Sequence, residues 1–229
     1  MNNIKIMGDG TIGKGEFNNI TIMGNGKFLD SIKAKKIKIL GEAEASEFIE
    51  TDNLTIMGEF KSLDDIKINE KLSVSGDSSF KKSVEVGEIS IKGDMKISND
   101  LKVKTTNIYG SLKVDNNCEA EIFKCKGEAN IKGLLNCDVL NIELYNSCTI
   151  NEIGGENITV KKPNLINSIM RREHKLYSNI IEGDNINLTN VECKIVRGKD
   201  IVIGKGCKIE RVECSGKLTI DKNSEVKYK

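Results

Sequence analysis

Residues 89–110 read ISIKGDMKISNDLKVKTTNIYG and contain one short element twice. The first copy is Ile89-Ser90-Ile91-Lys92-Gly93, and the second is Thr106-Asn107-Ile108-Tyr109-Gly110. Between the copies, apolar and polar residues alternate, as they do in a strand with one buried face. A fixed period of this length predicts a solenoid, in which each turn of the chain packs on the next.

The element recurs along the chain with its glycines about 17 residues apart. Copies end at Gly8, Gly24, Gly41, Gly58, Gly76, Gly93, Gly110 and Gly127. Less regular copies follow at Leu140-x-Ile142, Ile158-x-Val160, Ile186-x-Leu188, Ile201-x-Ile203 and Leu218-x-Ile220. Each period has three apolar pairs, which indicates three short strands. We therefore predict an all-β fold, a single-stranded parallel β-helix of about 13 rungs with a triangular cross-section.

We predict a single β-helix domain over residues 1–229, with regular rungs over 1–160 and C-terminal rungs over about 180–229. Between Val160 and Ile186 lie about eleven residues more than a rung needs, so residues 163–178 form an insertion. Its apolar residues have helical spacing, and Pro163 suits a helix start. This predicted helix either covers the flank of the solenoid or contacts a partner or an anionic membrane. Its candidate contact residues are Ile166, Ile169, Met170, Arg171, Arg172, Lys175 and Tyr177.

The composition and the pattern of apolar residues bear on the partners and the location of the protein. A formal net charge of +1 provides no field that would attract nucleic acid over a long range. The seven cysteines form no CxxC pair, and the first residues contain no apolar signal segment, so we expect a cytoplasmic protein. A location at the inner face of the membrane is left open. Polar residues interrupt every apolar run, so no transmembrane span is expected.

Few motifs point to chemistry. Residues 8–15 match GxGxxG, but Gly15 stands where a P-loop needs a hydroxyl, and strand alternation follows, so turn glycines are expected. His174 has no Cys, Ser or carboxylate cluster in its neighbourhood and is expected to be a solvated helix residue. Carboxylates such as Glu42 and Glu44 alternate with apolar residues, as on the outer face of a strand. We therefore predict no catalytic residue, cofactor, metal or small-molecule substrate.

The cysteines are expected to be core residues. Cys118, Cys125 and Cys137 fall on inward columns, where a thiol behaves as a small hydrophobe. Cys193, Cys207 and Cys214 lie in less regular rungs. Core packing is the favoured interpretation there too, and a reactive thiol remains the alternative.

The ends of a β-helix present unpaired strand edges over a slice of apolar core, and natural solenoids usually cover both with a polar cap. The sequence contains no recognisable N-terminal cap, and lysines near the C-terminus suggest that the C-terminal end is better protected. The predicted self-association residues are Ile4, Ile6, Ile12, Phe17, Leu218, Ile220, Val226 and Tyr228.

The repeated rungs, together with the stretches at residues 181–186 and 202–213, resemble the bactofilin family. The resemblance implies a right-handed β-helix that polymerises end to end without nucleotide into non-polar filaments. It also implies a cytoskeletal scaffold that serves the envelope or motility machinery, with a related bactofilin as a candidate co-assembling partner. The chain departs from many bactofilins in its number of rungs, its insertion and its lack of Pro-rich tails.

These observations favour a non-enzymatic, self-assembling structural protein. One alternative is a monomeric or dimeric adaptor that binds a partner through its flank or insertion. An enzyme is the other alternative, because residues 203–209 resemble the hexads of left-handed β-helix acyltransferases. Those enzymes use 18-residue rungs and a well-placed histidine, whereas the rungs of this sequence average about 17 residues. Carbohydrate-active β-helices need paired carboxylates, and the sequence shows no such pair.

Overall fold

The computed structural model describes residues 2–163 and 173–229, and every helix or strand assigned within them is a β-strand. The chain divides into two compact units, Met1–Asn116 and Asn117–Lys229, which are described one at a time. Each unit is a β-solenoid of parallel strands, and the two units contain about 13 turns in all. The predicted all-β parallel solenoid is confirmed.

The first unit contains fourteen of the described strands. They are β1 Asn2–Ile6, β2 Asp9–Ile12, β3 Gly15–Ile22, β4 Asn25–Phe28, β5 Ile32–Ile39, β6 Glu42–Ala45, β7 Ile49–Ile56, β8 Glu59–Ser62, β9 Ile66–Val74, β10 Asp77–Phe80, β11 Val84–Ile91, β12 Asp94–Ile97, β13 Leu101–Ile108 and β14 Ser111–Val114. Each pairs in register with the strand one turn away, so that Ile20 lies beside Ile37 and Ile37 beside Leu54.

A typical turn of the first unit consists of an eight-residue strand and a four-residue strand. In β5, Lys35 and Lys36 both point outward, and this breaks the alternation between two inward pairs. The inward residues of this turn are Ile32, Ala34, Ile37, Ile39, Ala43 and Ala45. The three predicted apolar pairs per turn are therefore present, but two of them belong to one continuous strand that bends at its centre.

Two core columns of the first unit place a large side chain beside a small one on adjacent turns. Phe60 lies beside Ser78 on the next turn, and Ser62 lies beside Phe80. The two rings therefore fit past each other diagonally, with their centroids 5.8 Å apart and their planes at 67°. Edge-to-face contact is the arrangement that aromatic quadrupoles favour. Ser62 is fully buried, and its hydroxyl donates to the Asp64 carbonyl at 2.9 Å.

The recurring glycines stack on one another. A Cβ atom on Gly24 would come much closer than 3.0 Å to the carbonyl oxygen of Gly8, and 3.0 Å is a limit that real Cβ atoms essentially never cross. The same relationship joins Gly41 to Gly24, Gly58 to Gly41, Gly76 to Gly58, Gly93 to Gly76 and Gly110 to Gly93. None of these glycines has a positive φ. Glycine is required at these positions because successive turns approach too closely for a side chain. We call this column of stacked glycines the glycine ladder.

The second unit contains eight of the described strands, four of which have 13 to 16 residues and are longer than any strand of the first unit. They are β15 Cys118–Cys125, β16 Glu128–Glu143, β17 Cys148–Lys161, β18 Leu176–Leu188, β19 Val191–Ile203, β20 Lys208–Cys214, β21 Leu218–Ile220 and β22 Glu225–Tyr228. Cys118 lies beside Leu135, and Ala120 beside Cys137, as the columns of the sequence predict.

The predicted helical insertion is wrong at its C-terminal end. Leu176 begins β18 and is fully buried, so Tyr177 and Ser178 are strand residues. Lys175 precedes the strand, and its Nζ lies 2.6 Å from Glu192 Oε1. His174 is half-buried outside any helix, and its carbonyl accepts a hydrogen bond from Asn190 Nδ2. The remaining predicted contact residues lie outside the described residues: Ile166, Ile169, Met170, Arg171 and Arg172.

Candidate assembly and docking surfaces

The first unit has an open edge. β1 pairs with β3 and β2 pairs with β4, and within residues 2–163 and 173–229 neither strand has a second neighbour. The backbone groups on the far side of each strand are therefore free to pair with another parallel strand. Such an edge favours association with another chain.

The inward residues at this edge are incompletely covered. Ile4 and Ile6 are half-buried, whereas their partners on the next turn, Ile20 and Ile22, are fully buried. Phe17 is also half-buried. These predicted end-face residues therefore leave apolar surface exposed at the edge.

Ile12 behaves differently from the other predicted residues of this edge. It lies beside Phe28 on the next turn and is only 2% exposed. The ring of Phe17 covers Gly15, where a Cβ atom would approach it to 2.9 Å. Ile12 therefore adds little apolar surface to the edge.

The second unit has a comparable edge at β21 and β22. β21 pairs with β19 and β22 with β20, and the described part of the chain provides no further neighbour for either. Leu218, Ile220 and Val226 are half-buried, and Tyr228 is 59% exposed. The expected better protection of this edge is not visible in the burial of its apolar residues.

One outer column of the first unit alternates in charge from turn to turn. Its members, in spatial order, are Glu16, Lys33, Glu50, Lys67, Glu85 and Lys102. Lys33 Nζ lies 3.3 Å from Glu50 Oε1, and Lys67 Nζ lies 3.4 Å from Glu85 Oε1. We call this column the alternating charge ladder. Opposite charges directly across a strand pair stabilise a sheet modestly.

A second outer column of the same unit is acidic on four consecutive turns. Its members are Glu42, Glu59, Asp77 and Asp94, which we call the acidic column. All four are exposed, and no ion pair engages any of them within the described part of the chain. Stacked like charges are destabilising, so this column is electrostatically unfavourable in the isolated protein.

An exposed apolar ridge occupies the outward column next to the acidic column and shares two turns with it. It consists of Met7, Met23, Leu40 and Met57, which follow the equivalent residues Ile6, Ile22, Ile39 and Ile56 on four consecutive turns. Met7 is 71% exposed, Met23 47% and Met57 53%. We call these four residues the methionine ridge. The repeated Met-Gly dipeptide at an outward position is the sequence signal from which this ridge could have been predicted.

The thiols lie mainly in the core. Cys118, Cys125, Cys137, Cys148, Cys193 and Cys207 are buried, and Cys214 is half-buried. Burial raises the pKa of the Cys137 thiol to about 12 and that of Cys193 to about 12. The pKa of Cys125 is raised by its hydrogen bond with Cys148 and by burial. The inward placement predicted for Cys118, Cys125 and Cys137 is confirmed.

The glycine-rich stretch near the N-terminus is part of the solenoid. Asp9–Ile12 form β2, and Gly15 begins β3, so the stretch is followed by a strand, as predicted. No three His, Cys, Asp or Glu side chains converge to hold a metal ion among residues 2–163 and 173–229. Over the same residues, no helix has the length and apolar character that a membrane crossing requires.

The chain is similar to two proteins of Bacillus subtilis (strain 168). It is 39% identical to uncharacterized protein YhbF over 98 residues, which cover 42% of this chain and 41% of YhbF. It is also 39% identical to uncharacterized protein YhbE over 99 residues, 42% of each protein. The chain thus matches about two fifths of the length of these relatives. No family model matches the chain, and no solved structure matches it significantly.

Proposed function

We propose that the protein is a non-enzymatic structural scaffold that self-assembles through the open edges of its solenoid, without nucleotide. A β-solenoid fold is compatible with such a role. The observation that carries the proposal is the pair of strand edges, β1 with β2 and β21 with β22. Each edge combines unpaired backbone groups with half-buried apolar residues such as Ile6 and Ile220.

Pairing at these edges satisfies two physical requirements together. An added parallel strand hydrogen-bonds to the free backbone groups, and its own inward residues cover the exposed apolar surface. Removing apolar surface from water contributes roughly 25 cal/mol per Å² before the costs of association. Ile4, Ile6, Leu218, Ile220 and Val226 provide such surface at the two edges.

The bactofilin resemblance supports the same proposal at the level of the family. It adds the expectations of end-to-end, non-polar filaments, a right-handed solenoid, a cytoplasmic location, and a link to the envelope or motility machinery. A related bactofilin is a second candidate partner for co-assembly. The buried cysteines add support for a reducing compartment, because each is a free thiol.

The outer surface also supports a role without catalysis. Many charged groups on the outer surface form ion pairs between adjacent turns. The Arg197 guanidinium, for example, contacts Glu182 Oε2 at 3.0 Å and Glu213 Oε2 at 2.7 Å. Most thiols are buried, which keeps them out of contact with reagents in solution. A scaffold needs only such a rigid surface and its edges.

Electron microscopy of the purified full-length protein by negative stain, with and without added nucleotide, tests the proposal. Size-exclusion chromatography with light scattering at several protein concentrations is the companion measurement. We expect filaments or oligomers whose mass rises with concentration, with no effect of nucleotide. A monomer at every concentration would contradict self-assembly.

A discrete dimer at every concentration would instead favour the adaptor hypothesis. Of the predicted docking residues of the insertion, Tyr177 belongs to a strand, and most of the others lie outside the described residues. The exposed methionine ridge is the feature that favours an adaptor role, and all its members except Met7 lie on turns beyond the open edge of the first unit.

A further inference from the structure

We propose that the methionine ridge and the acidic column together form a docking surface for a basic amphipathic helix of a partner protein. On the two turns that contain members of both columns, the acidic residue follows the ridge residue by two positions, as Glu42 follows Leu40 and Glu59 follows Met57. The two columns therefore run side by side, separated by the glycine ladder. Met7 and Asp9 belong to the first turn, at the open edge, whereas the rest of this surface lies on later turns, away from the edges that the proposed self-assembly uses.

The ridge has the size of a short helix. Neighbouring strands lie about 4.8 Å apart, so its four members span roughly 14 Å. A helix rises about 1.5 Å per residue, so about ten residues, or three turns, cover that length. Methionine is unbranched and adaptable, so a row of such side chains can pack against the apolar stripe of a helix.

The charges of the surface define the polarity of its partner. Asp9, Glu42 and Glu59 lie alongside the ridge, and Asp77 and Asp94 extend the carboxylates two turns beyond it. Asp9 accepts a hydrogen bond from Asn25 Nδ2 at 2.8 Å, whereas the acidic column is engaged in no ion pair within the described residues. Lysine or arginine residues on one flank of a bound helix would neutralise it.

The other side of the ridge is different in character. The outward residues two positions before the ridge are Lys5, Thr21, Lys38 and Thr55. The surface thus presents carboxylates on one side only, which orients a helix that has its basic residues on one flank. The same carboxylates repel an anionic membrane, so a protein partner fits this surface better than a lipid surface does.

The contrast with the alternating charge ladder strengthens the inference. On that face each carboxylate has a lysine on the adjacent turn, as Glu50 has Lys33. The same chain therefore pairs stacked charges on one face, whereas the acidic column makes no ion pair within the described part of the chain. A cationic partner would relieve the repulsion within the acidic column and cover the methionines in one binding event.

A labelled synthetic peptide of 14 residues, with Leu and Met on one face and Lys on one adjoining flank, provides the probe. Its fluorescence anisotropy is measured against the full-length protein in low salt. We expect saturable binding that weakens as salt rises, because rim charges are screened. A peptide of the same composition with its face scrambled, and one with Glu in place of Lys, should bind at least about tenfold more weakly.

Two double variants examine the two columns. Met23→Ser with Met57→Ser, and Glu42→Gln with Glu59→Gln, should each weaken peptide binding by about tenfold. All four side chains are exposed, so both variants should retain the far-ultraviolet circular dichroism of the parent. The matched controls are Tyr109→Ser, an exposed apolar residue at the same corner beyond the ridge, and Glu121→Gln, an exposed carboxylate of the second unit. Neither control should change the affinity.

Several outcomes would overturn the proposal. Absence of peptide binding in low salt is one, and equal binding by the scrambled or acidic peptide is another. If Met23→Ser with Met57→Ser changes only the mass of the protein in light scattering, the ridge joins copies of this chain instead. If that variant loses binding to vesicles of phosphatidylserine but keeps the peptide, the ridge contacts lipid. Ile6→Asp should weaken self-association but leave peptide binding intact. Failure of the self-assembly proposal can therefore be distinguished from failure of the docking proposal.

Discussion

The carbonyl oxygen of Gly41 occupies the space that a Cβ atom on Gly58 would need. Neither residue has a positive φ, so neither is required for a left-handed conformation. The requirement is one of distance between successive turns of the solenoid. Glycine at this corner thus allows the turns to stack closely while the strands on either side remain in register.

Replacement of Gly58 by Ala should therefore be costly. The added methyl group meets the Gly41 and Leu40 carbonyl oxygens, which are backbone atoms of the adjacent turn and cannot rotate away. We expect Gly58→Ala to lower the free energy of unfolding by about 1–3 kcal/mol, the usual range for overpacking. Urea denaturation followed by circular dichroism measures the change.

Gly8 provides a matched control in the same ladder. A Cβ atom on Gly8 would have no neighbour within 4 Å, because the ladder begins at this residue. Gly8→Ala should change the free energy of unfolding by no more than about 0.5 kcal/mol. Equal losses in the two variants, measured at the same protein concentration, would show that glycine is required for its backbone conformation and not for close stacking.

The sequence predicts the period, the parallel register and most of the core because all three follow from one repeated pattern. Ile89 and Ile91 point inward, as their alternation with polar residues requires, and Ile108 lies beside Ile91 on the next turn. The pattern does not reveal how closely the turns approach at the corners. The role of Gly58 and the exposure of Met57 depend on that distance, so they emerge only from the structure.

The boundary of the insertion shows a second limit of sequence patterns. Apolar spacing over residues 163–177 predicts a helix, yet Leu176 lies in an inward column between Cys148 and Val191. Helical and strand periodicities coincide over a few residues, so a short apolar run cannot distinguish them. The pairing partners, which are distant in sequence, decide that Leu176 belongs to β18.

Ile6→Asp tests the open edge of the first unit. The carboxylate would lie at an inward position of β1, where assembly would remove it from water without a partner, at a cost of several kcal/mol. We expect self-association to weaken by more than about tenfold, as measured by sedimentation velocity, while circular dichroism stays unchanged.

Asn3→Asp is the matched control for that variant. It places the same charge on the same strand, but at an exposed position, and it keeps the oxygen that accepts a hydrogen bond from Asn19 Nδ2 at 3.1 Å. We expect assembly close to that of the parent. If both variants assemble like the parent, β1 is not the interface, and Ile220→Asp in β21 becomes the informative substitution.

The thiols should divide into one fast and six slow groups when treated with Ellman's reagent at pH 8. Cys214 is half-buried and the other six thiols are buried, so only Cys214 should react before unfolding. Cys214→Ser should remove the fast phase, and all seven thiols of the parent should react in urea. A fast phase that persists in Cys214→Ser would contradict the described burial.

The raised thiol pKa values also predict a dependence of stability on pH. Unfolded thiols ionise near pH 8.5, whereas burial raises the pKa of Cys137 and Cys193 to about 12 in the folded protein. Their contribution to stability is therefore fully present below about pH 8 and is lost as the pH rises toward 12. Cys137→Ala should reduce the alkaline loss of stability in urea titrations at pH 8 and pH 10.

Lys67→Glu tests the alternating charge ladder. Lys67 lies between Glu50 and Glu85 on adjacent turns, so the substitution would place three carboxylates in one column. We expect the free energy of unfolding in low salt to fall by about 0.5–1 kcal/mol, because like charges directly opposite each other destabilise a sheet. The deficit should shrink in 1 M NaCl, where the screening length falls to about 3 Å.

Lys38→Glu isolates the effect of the ladder from that of net charge. It makes the same change of charge in the same unit, but its neighbours on the adjacent turns are Thr21 and Thr55. Urea denaturation in low salt should therefore show a clearly smaller loss for Lys38→Glu than for Lys67→Glu. Equal losses, or a loss for Lys67→Glu that persists in 1 M NaCl, would mean that packing of the lysine stem, and not alternation of charge, stabilises this face.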